Sequence, residues 1–414
     1  MRYTSKVWIL SCASLTLLLL ISEPAVAQKT IHVPGDAPTI QDAINEAQNG
    51  DTVLVAPGTY DENIDFEGKS IAVTSESSSG GGAANTIIMG SSGPTVTFQS
   101  NEPPAAVLSG FTIEHQSPGG QTVPGEGIYI AGASPTITGN DVVENDGCGI
   151  SITGPSSSPA IRGNDISENF SGVLSANPDC GPEGISIGSA DSVEISNNTI
   201  EGNNTNSPVN GGGGGIVAFN STKVTIENNA IYNNTGVGQG VNGSAGGGAG
   251  EVGGIEAVGI GELAIIQNLI YSNVVVNAGP LPGGILVSED NLANHLPSGT
   301  LTITNNTVVG NQAGLGAGEQ FTLGEYPAQS TIENNIFAST DNNAAIYCAV
   351  GVDAGFSYND VVGSTPIQGC GGFNNISADP MFADAAADDF HLTAASPAIT
   401  AGDTAAPDLP ATDF

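Results

Sequence analysis

The stretch Ile137-Thr138-Gly139-Asn140-Asp141-Val142-Val143-Glu144-Asn145 has the form Ile-x-x-Asn-x-(Ile/Val)-x-x-Asn, and the form returns down the chain. It appears as Ile161-Arg162-Gly163-Asn164-Asp165-Ile166 ending at Asn169, and as Ile195-Ser196-Asn197-Asn198-Thr199-Ile200 ending at Asn203. Further copies surround Asn229 with Asn234, Asn268 with Asn273, and Asn306 with Asn311, while Asn335 and Asn359 head degenerate ones. Successive lead asparagines are 24, 34, 31, 39, 38, 29 and 24 residues apart. A unit that keeps its own pattern while its spacing varies is one supersecondary repeat with insertions.

A second element falls between the blocks: Gly149-Ile150-Ser151-Ile152, Gly184-Ile185-Ser186-Ile187, Gly215-Ile216-Val217-Ala218, Gly254-Ile255-Glu256-Ala257 and Gly284-Ile285-Leu286-Val287, preceded by Gly127-Ile128-Tyr129-Ile130. Alternation over four residues is a strand signature. Each unit thus holds a Gly-Ile strand, a turn, a strand ending in Ile-x-x-Asn, a tight asparagine turn and a third strand. Three short strands per coil, stacked on identical strands above and below, make an all-β, right-handed parallel β-helix with three short sheets. Lead residues Asn140, Asn164, Asn198, Asn229, Asn268, Asn306 and Asn335 are expected to adopt the left-handed backbone of the turn and to stack as an amide ladder. Each amide bond contributes about 1 kcal/mol net.

The ends of such a solenoid need protection. Ile40, Ala43, Ile44 and Ala47 fall at i, i+3, i+4 and i+7, describing a short amphipathic helix that Asn49-Gly50-Asp51 stops. It is the expected N-terminal cap, with strands Thr52-Val53-Leu54-Val55 and Lys69-Ser70-Ile71-Ala72-Val73 after it. Residues 1–27 read as a secretory signal, with Arg2 and Lys6 ahead of an apolar run and Ala25-Val26-Ala27 as cleavage site. The expected organisation is signal 1–27, cap 28–50, β-helix 51–375 and closing segment 376–414, in a secreted or cell-surface protein, extracellular or periplasmic. No other stretch could span a membrane, and a monomer is expected.

Charge excludes several functions. The chain has 414 residues, 42 Asp plus Glu against 6 Lys plus Arg, and a net charge of −36. Nucleic acid and anionic lipid are improbable partners, and polyuronates are repelled unless calcium or salt intervenes. Gly and Pro number 58 and 24, below the share that marks low-complexity disorder. Once the signal is removed four cysteines remain, Cys148, Cys180, Cys348 and Cys370. An even number in an oxidising compartment suggests the local bridges Cys148–Cys180 and Cys348–Cys370. Zinc competes poorly, because no Cys-x-x-Cys exists and His32, His115, His295 and His391 are scattered.

The chain resembles the pectate-lyase-like superfamily of right-handed parallel β-helix proteins. The likeness rests on Ile40-Gln41-Asp42-Ala43-Ile44, on Gly50-Asp51-Thr52-Val53-Leu54-Val55-Ala56-Pro57-Gly58-Thr59-Tyr60, on Gly110-Phe111-Thr112-Ile113 and on the asparagine blocks. Asp379-Pro380-Met381-Phe382, Phe390-His391-Leu392 and Ser396-Pro397-Ala398-Ile399 look like the closing segment of secreted bacterial members. Similar proteins usually continue beyond such a segment, so the chain is expected to be cut short, with a surface anchor lost. These motifs specify a fold, and the superfamily holds lyases, glycosidases, epimerases and adhesins.

The resemblance implies a sugar groove on the Gly-Ile sheet and the variable loops beside it, Phe170–Glu183, Asn204–Gly214, Thr235–Gly253 and Val274–Gly283. With the isoleucines inward, the outward row is Tyr129, Ser151, Ser186, Val217, Glu256 and Leu286, then Ala131, Thr153, Gly188, Phe219, Val258 and Ser288. Tyr129, Ser151, Ser186, Phe219, Asp179 and Glu183 are the candidate substrate contacts; packing beneath loops is the plainer reading of the aromatics. Glu251 and Glu256 are the candidate catalytic carboxylates, and with Asp179, Glu183, Glu289 and Asp290 they are candidate calcium ligands. No metal ligand set is fixed by spacing, and solvated surface is the competing reading of all six carboxylates.

Lyase chemistry in the superfamily's manner needs a basic residue, and Lys29, Lys69, Arg162 and Lys223 all fall outside the expected groove. Hydrolysis needs only two carboxylates. The Asp-Asp pair Asp388-Asp389 lies in the closing segment and reads as surface. The expected function is recognition of an extracellular polysaccharide or cell-surface glycan along the Gly-Ile sheet. The alternatives are a calcium-assisted lyase or glycosidase and a structural solenoid or adhesin.

Overall fold

The computed structural model describes residues 27–76, 83–115, 125–171, 184–205, 213–237, 252–276, 281–288, 299–312, 320–324, 330–339, 345–348, 355–363, 367–406 and 409. Among the site candidates Asp179, Cys180, Glu183, Glu251, Glu289 and Asp290 lie outside these residues, as does the signal segment up to Val26. The proposed Cys148–Cys180 bridge falls outside them with Cys180.

Three long parallel sheets wind around one core. The first has 13 strands, from Thr30–Val33 to Gly372–Phe373, and contains the strand that ends in each Ile-x-x-Asn. The second has 11, from Ile64–Asp65 to Ile367–Gln368, and is the Gly-Ile sheet; the third has 11, from Gly58–Tyr60 to Asp360–Val362. Register is like on like: Ile137 over Ile161 over Ile195 over Ile226, and Ile128 through Ile150, Ile185, Ile216 and Ile255 to Ile285. Val142, Ile166, Ile200, Ile231 and Ile270 form the third column. These side chains are fully buried, so a one-residue slip would turn a whole column to solvent. Parallel strands joined within one sheet take right-handed crossovers.

A fourth sheet was not foreseen. Its strands, Phe170–Ser171, Asn204–Thr205, Thr235–Val237 and Val274–Val276, follow the closing asparagines of four successive blocks. Those asparagines turn the chain at a second corner, and it leaves that corner extended.

Both corners carry an amide ladder. Asn140 Nδ2 donates to Asn164 Oδ1 at 3.1 Å, and the link repeats through Asn198, Asn229, Asn268, Asn306, Asn335 and Asn359 to Asn375. The second ladder runs Asn145, Asn169, Asn203, Asn234, Asn273 and Asn311 and ends on the Gln320 side chain. One expectation fails here: the lead asparagines are not the left-handed residues. That backbone belongs to the residue before each of them, Gly139, Gly163, Asn197, Asn228, Gln267, Asn305, Asn334 and Tyr358. The reason is directional: the left-handed residue makes the bend and faces outward, which swings the next amide inward onto its neighbours.

The Gly-Ile motif has a steric origin. A Cβ on Gly184 would lie 2.8 Å from Asn203 Nδ2 and 2.9 Å from the Gly215 carbonyl oxygen, so only glycine lets the next coil and the second ladder approach so closely.

The cap helix spans Ile40–Glu46 and buries Ile40, Ala43 and Ile44. Thr39 Oγ1 accepts from the Asp42 N–H at 3.0 Å, and Glu62 accepts from the N–H groups of Ile40 and Gln41 at 2.9 and 3.0 Å. At the other end Lys69 Nζ donates to the Asn45 carbonyl at 2.9 Å. The cap is therefore held at both termini by side chains from the first coil. At the far end, Cys348 and Cys370 form a disulfide with Cα atoms 5.1 Å apart.

Candidate functional site

The first outward column of the Gly-Ile sheet is not an open floor. Ser151, Ser186, Val217 and Glu256 are 2, 6, 1 and 4% exposed, and Tyr129 is half-buried. The next column, Ala131, Thr153, Gly188, Phe219, Val258 and Ser288, is half-buried and carries small or apolar side chains with one aromatic. The basic residues are engaged elsewhere: Arg162 Nε donates to Glu194 Oε1 at 2.7 Å on the first sheet, and Lys223 pairs with Glu262.

A cleft of 680 Å³ opens on the third sheet. Its floor is one outward column, Leu269, Thr307, Ile336 and Asp360, placed side by side by the strand register. Its corner wall is the run of left-handed residues Gln267, Asn305, Asn334 and Tyr358, each turned outward by the bend that sends the following asparagine inward. Its roof is the closing segment, residues 387–392 and 398–404.

The roof is fastened at two places. Phe390 sits on the antiparallel pair Phe382–Asp384 and Asp389–Leu392, with its ring 5.0 Å from Tyr271 and 5.3 Å from Phe382. Tyr271 is in turn stacked on Tyr232 at 4.7 Å. Burial, reinforced by Asp388 and Glu201, pushes the Tyr271 hydroxyl up to about 12, so it stays neutral. Across the corner, Asp403 N–H donates to Asn334 Oδ1 at 2.7 Å, and Asn334 Nδ2 donates back to the Asp403 carbonyl at 3.0 Å.

Asp360 is 3% exposed. Its Oδ1 accepts from the Ala378 N–H at 3.0 Å, and its Oδ2 has no hydrogen-bond partner. Burial raises its pKa, the Ala378 bond opposes that rise, and Asp379 adds to it. On the roof, His391 Nδ1 lies 2.6 Å from Asp389 Oδ1, and the His391 N–H donates to the same oxygen at 3.1 Å. These bonds hold the Asp389 carboxylate below the ordinary carboxylate range, the ring contact most of all. Among the described residues no Lys or Arg lines the cleft. Among the described residues no group of three His, Cys, Asp or Glu converges to hold a metal ion, and no helix is long and apolar enough to cross a membrane.

The candidate site therefore lies on a different sheet from the one the sequence favours. The floor was findable by aligning the residue after each lead asparagine. The roof was not, because the Asn334–Asp403 contact joins residues 69 apart and leaves no periodic trace.

Comparison with known proteins supports the architecture. Residues 174–349 match the family model described as right handed beta helix region. The chain has the right-handed parallel β-helix fold. Similar solved structures include the alginate lyase from Paenibacillus sp. str. FPU-7, at 15% identity over 84% of this chain and 97% of that one, with a TM-score of 0.44. The pectate lyase Pel9A is 14% identical over 89 and 90%, with a TM-score of 0.47, and the Dettilon tailspike protein 16% over 85 and 69%, with a TM-score of 0.42. No curated protein matches the sequence.

Proposed function

We propose that this β-helix protein works outside the cell as a glycan-binding protein and takes a neutral saccharide chain into the cleft beneath its closing segment, rather than along the Gly-Ile sheet. The observation that carries this reading is the lining itself. Gln267, Asn305 and Asn334 set amides along one wall, Asp389 brings a carboxyl group, and Tyr358 and Phe390 supply aromatic surface. Amides and carboxylates suit hydroxyls, and apolar sugar faces suit aromatic rings. A volume of 680 Å³ falls among ligand-sized sites. With no lining cation and a net charge of −36, a neutral chain is favoured over a polyuronate. The Cys348–Cys370 disulfide suits an oxidising compartment.

Calorimetric titration of neutral oligosaccharides and of polyuronates, with and without calcium, tests the reading. Neutral chains should bind with or without calcium, and Asn305→Gly, which keeps the left-handed backbone and deletes one wall amide, should weaken them roughly tenfold. Binding confined to polyuronates in calcium would contradict the reading. Reducing-end and unsaturated-uronide assays on the same samples report whether the bound chain is also cut.

A further inference from the structure

We propose that the arm of the closing segment over the cleft, residues 398–404, is a pH-dependent clasp: facing carboxylates of Glu333 and Asp403 loosen it at neutral pH and let it tighten over a bound glycan in acid. The inference rests on the glycan reading above and names what regulates that site. The clasp has an attractive and a repulsive half on adjacent residues. Asn334 attracts, because its Oδ1 accepts from the Asp403 N–H at 2.7 Å and its Nδ2 donates to the Asp403 carbonyl at 3.0 Å. That pairing sets Asp403 beside Glu333, the last residue of the strand Ser330–Glu333, where it acts as a like charge. Among the described residues neither carboxylate forms an ion pair.

The elements packed round Glu333 leave that repulsion unrelieved. From its own sheet the register brings Thr304 on one side and Ser357 on the other, both buried and uncharged; from the arm comes Asp403. Ser357 Oγ donates to Glu333 Oε2 over a long 3.5 Å. The Asp403 side chain is committed to its own turn, where Oδ1 accepts from the Ala405 N–H at 2.8 Å. Burial first, then Asp403, raises the Glu333 pKa above its ordinary 4.5, and the Ser357 bond opposes the rise. Lifting the arm takes Asp403 away, so Glu333 has a higher pKa with the arm docked than with it lifted. Between those two values the docked chain holds more protons. Docking is therefore strongest below the window and weakens as pH rises through the docked value. A ligand that the arm encloses favours the docked state and is held more firmly in acid by the same factor.

The test is hydrogen exchange on the whole unliganded chain, stepped from about pH 4.5 to about pH 7.5 and expressed as protection relative to each amide's intrinsic rate. Protection of residues 398–404 should be about two- to fivefold higher at the acid end, the size expected of one half-exposed charge pair. Glu333→Gln keeps a neutral side chain of the same shape, and Asp403→Asn keeps both the backbone pairing and an acceptor for Ala405. Each variant should hold the acid-level protection across the whole range, and the double variant should add nothing. Titration of a neutral oligosaccharide over the same steps should show the wild type losing the same factor in affinity towards neutrality, and Glu333→Gln losing none. If both variants keep the wild-type pH dependence, or the wild type has none, this inference fails, and the glycan reading survives as long as neutral chains bind. If the arm switches as described but no neutral chain binds, the clasp stands and the glycan reading fails.

Discussion

The inner corner and the cleft sit on neighbouring residues of the same coils, yet they treat buried polarity in opposite ways. In the ladder, Asn198 Nδ2 donates to Ile161 O at 2.9 Å and to Asn229 Oδ1 at 3.0 Å, while its own Oδ1 accepts from the N–H and the Nδ2 of Asn164. In the cleft, one residue beyond the ladder asparagine Asn359, Asp360 keeps an oxygen with no partner. A closed polar network fixes register and has nothing left to offer a ligand. An open one leaves a desolvation cost that no hydrogen bond offsets. Both kinds of residue are polar and almost fully buried, so residue type alone does not tell them apart.

Breaking the closed network should do the most damage. Asn229→Leu removes the acceptor for both Asn198 N–H groups and the donors to Ile195 O and Asn268 Oδ1; denaturant unfolding should show a loss of about 3–4 kcal/mol. Opening the Cys348–Cys370 bridge, which joins residues 22 apart in sequence, should follow. Cys370→Ser is expected to lower stability by about 3 kcal/mol through restored chain entropy, read by the same melts.

The clasp over the cleft is weaker, because it is two hydrogen bonds at a half-exposed corner. Asn334→Ala should lower stability by about 1–2 kcal/mol and speed amide exchange in residues 398–404 while leaving the sheets protected.

Asp360→Asn sharpens the contrast, because it should move stability the other way. Burial raises the folded pKa of Asp360 above its ordinary 3.8. Between those two values the folded chain holds more protons than the unfolded one, so wild-type stability falls as pH rises through that window. The variant should therefore match the wild type below about pH 3.8 and exceed it above the window, by on the order of 1 kcal/mol. A gain that appears only on acidification would contradict the raised pKa.

The solenoid was legible because its signal is periodic. Ile150, Ile185 and Ile216 mark one sheet, and Asn140, Asn164 and Asn198 mark one corner, whatever length of loop lies between them. Which residue bends the chain was less legible: Asn197 and Asn198 are the same amino acid, and only the backbone shows that the first turns outward and the second inward. The four-stranded sheet escaped notice because Thr235–Val237 and Val274–Val276 lie where the pattern gives way to variable segments. The Gly-Ile face was a reasonable place for a groove by residue type, but Ser151, Ser186 and Glu256 are buried. The cleft depends on a segment returning to cover residues some 70 positions earlier, and such a contact is a property of the folded chain.

Hydrogen exchange with and without a saturating neutral oligosaccharide bears most directly on where the ligand sits. Slower exchange confined to residues 387–392 and 398–404 and to the floor strands around Thr307 and Ile336 is the predicted result. Protection that instead gathers on Ile150–Thr153, Ile185–Gly188, Ile216–Phe219 and Ile255–Val258, with the closing segment unchanged, would place the ligand on the Gly-Ile sheet and contradict a site beneath the closing segment.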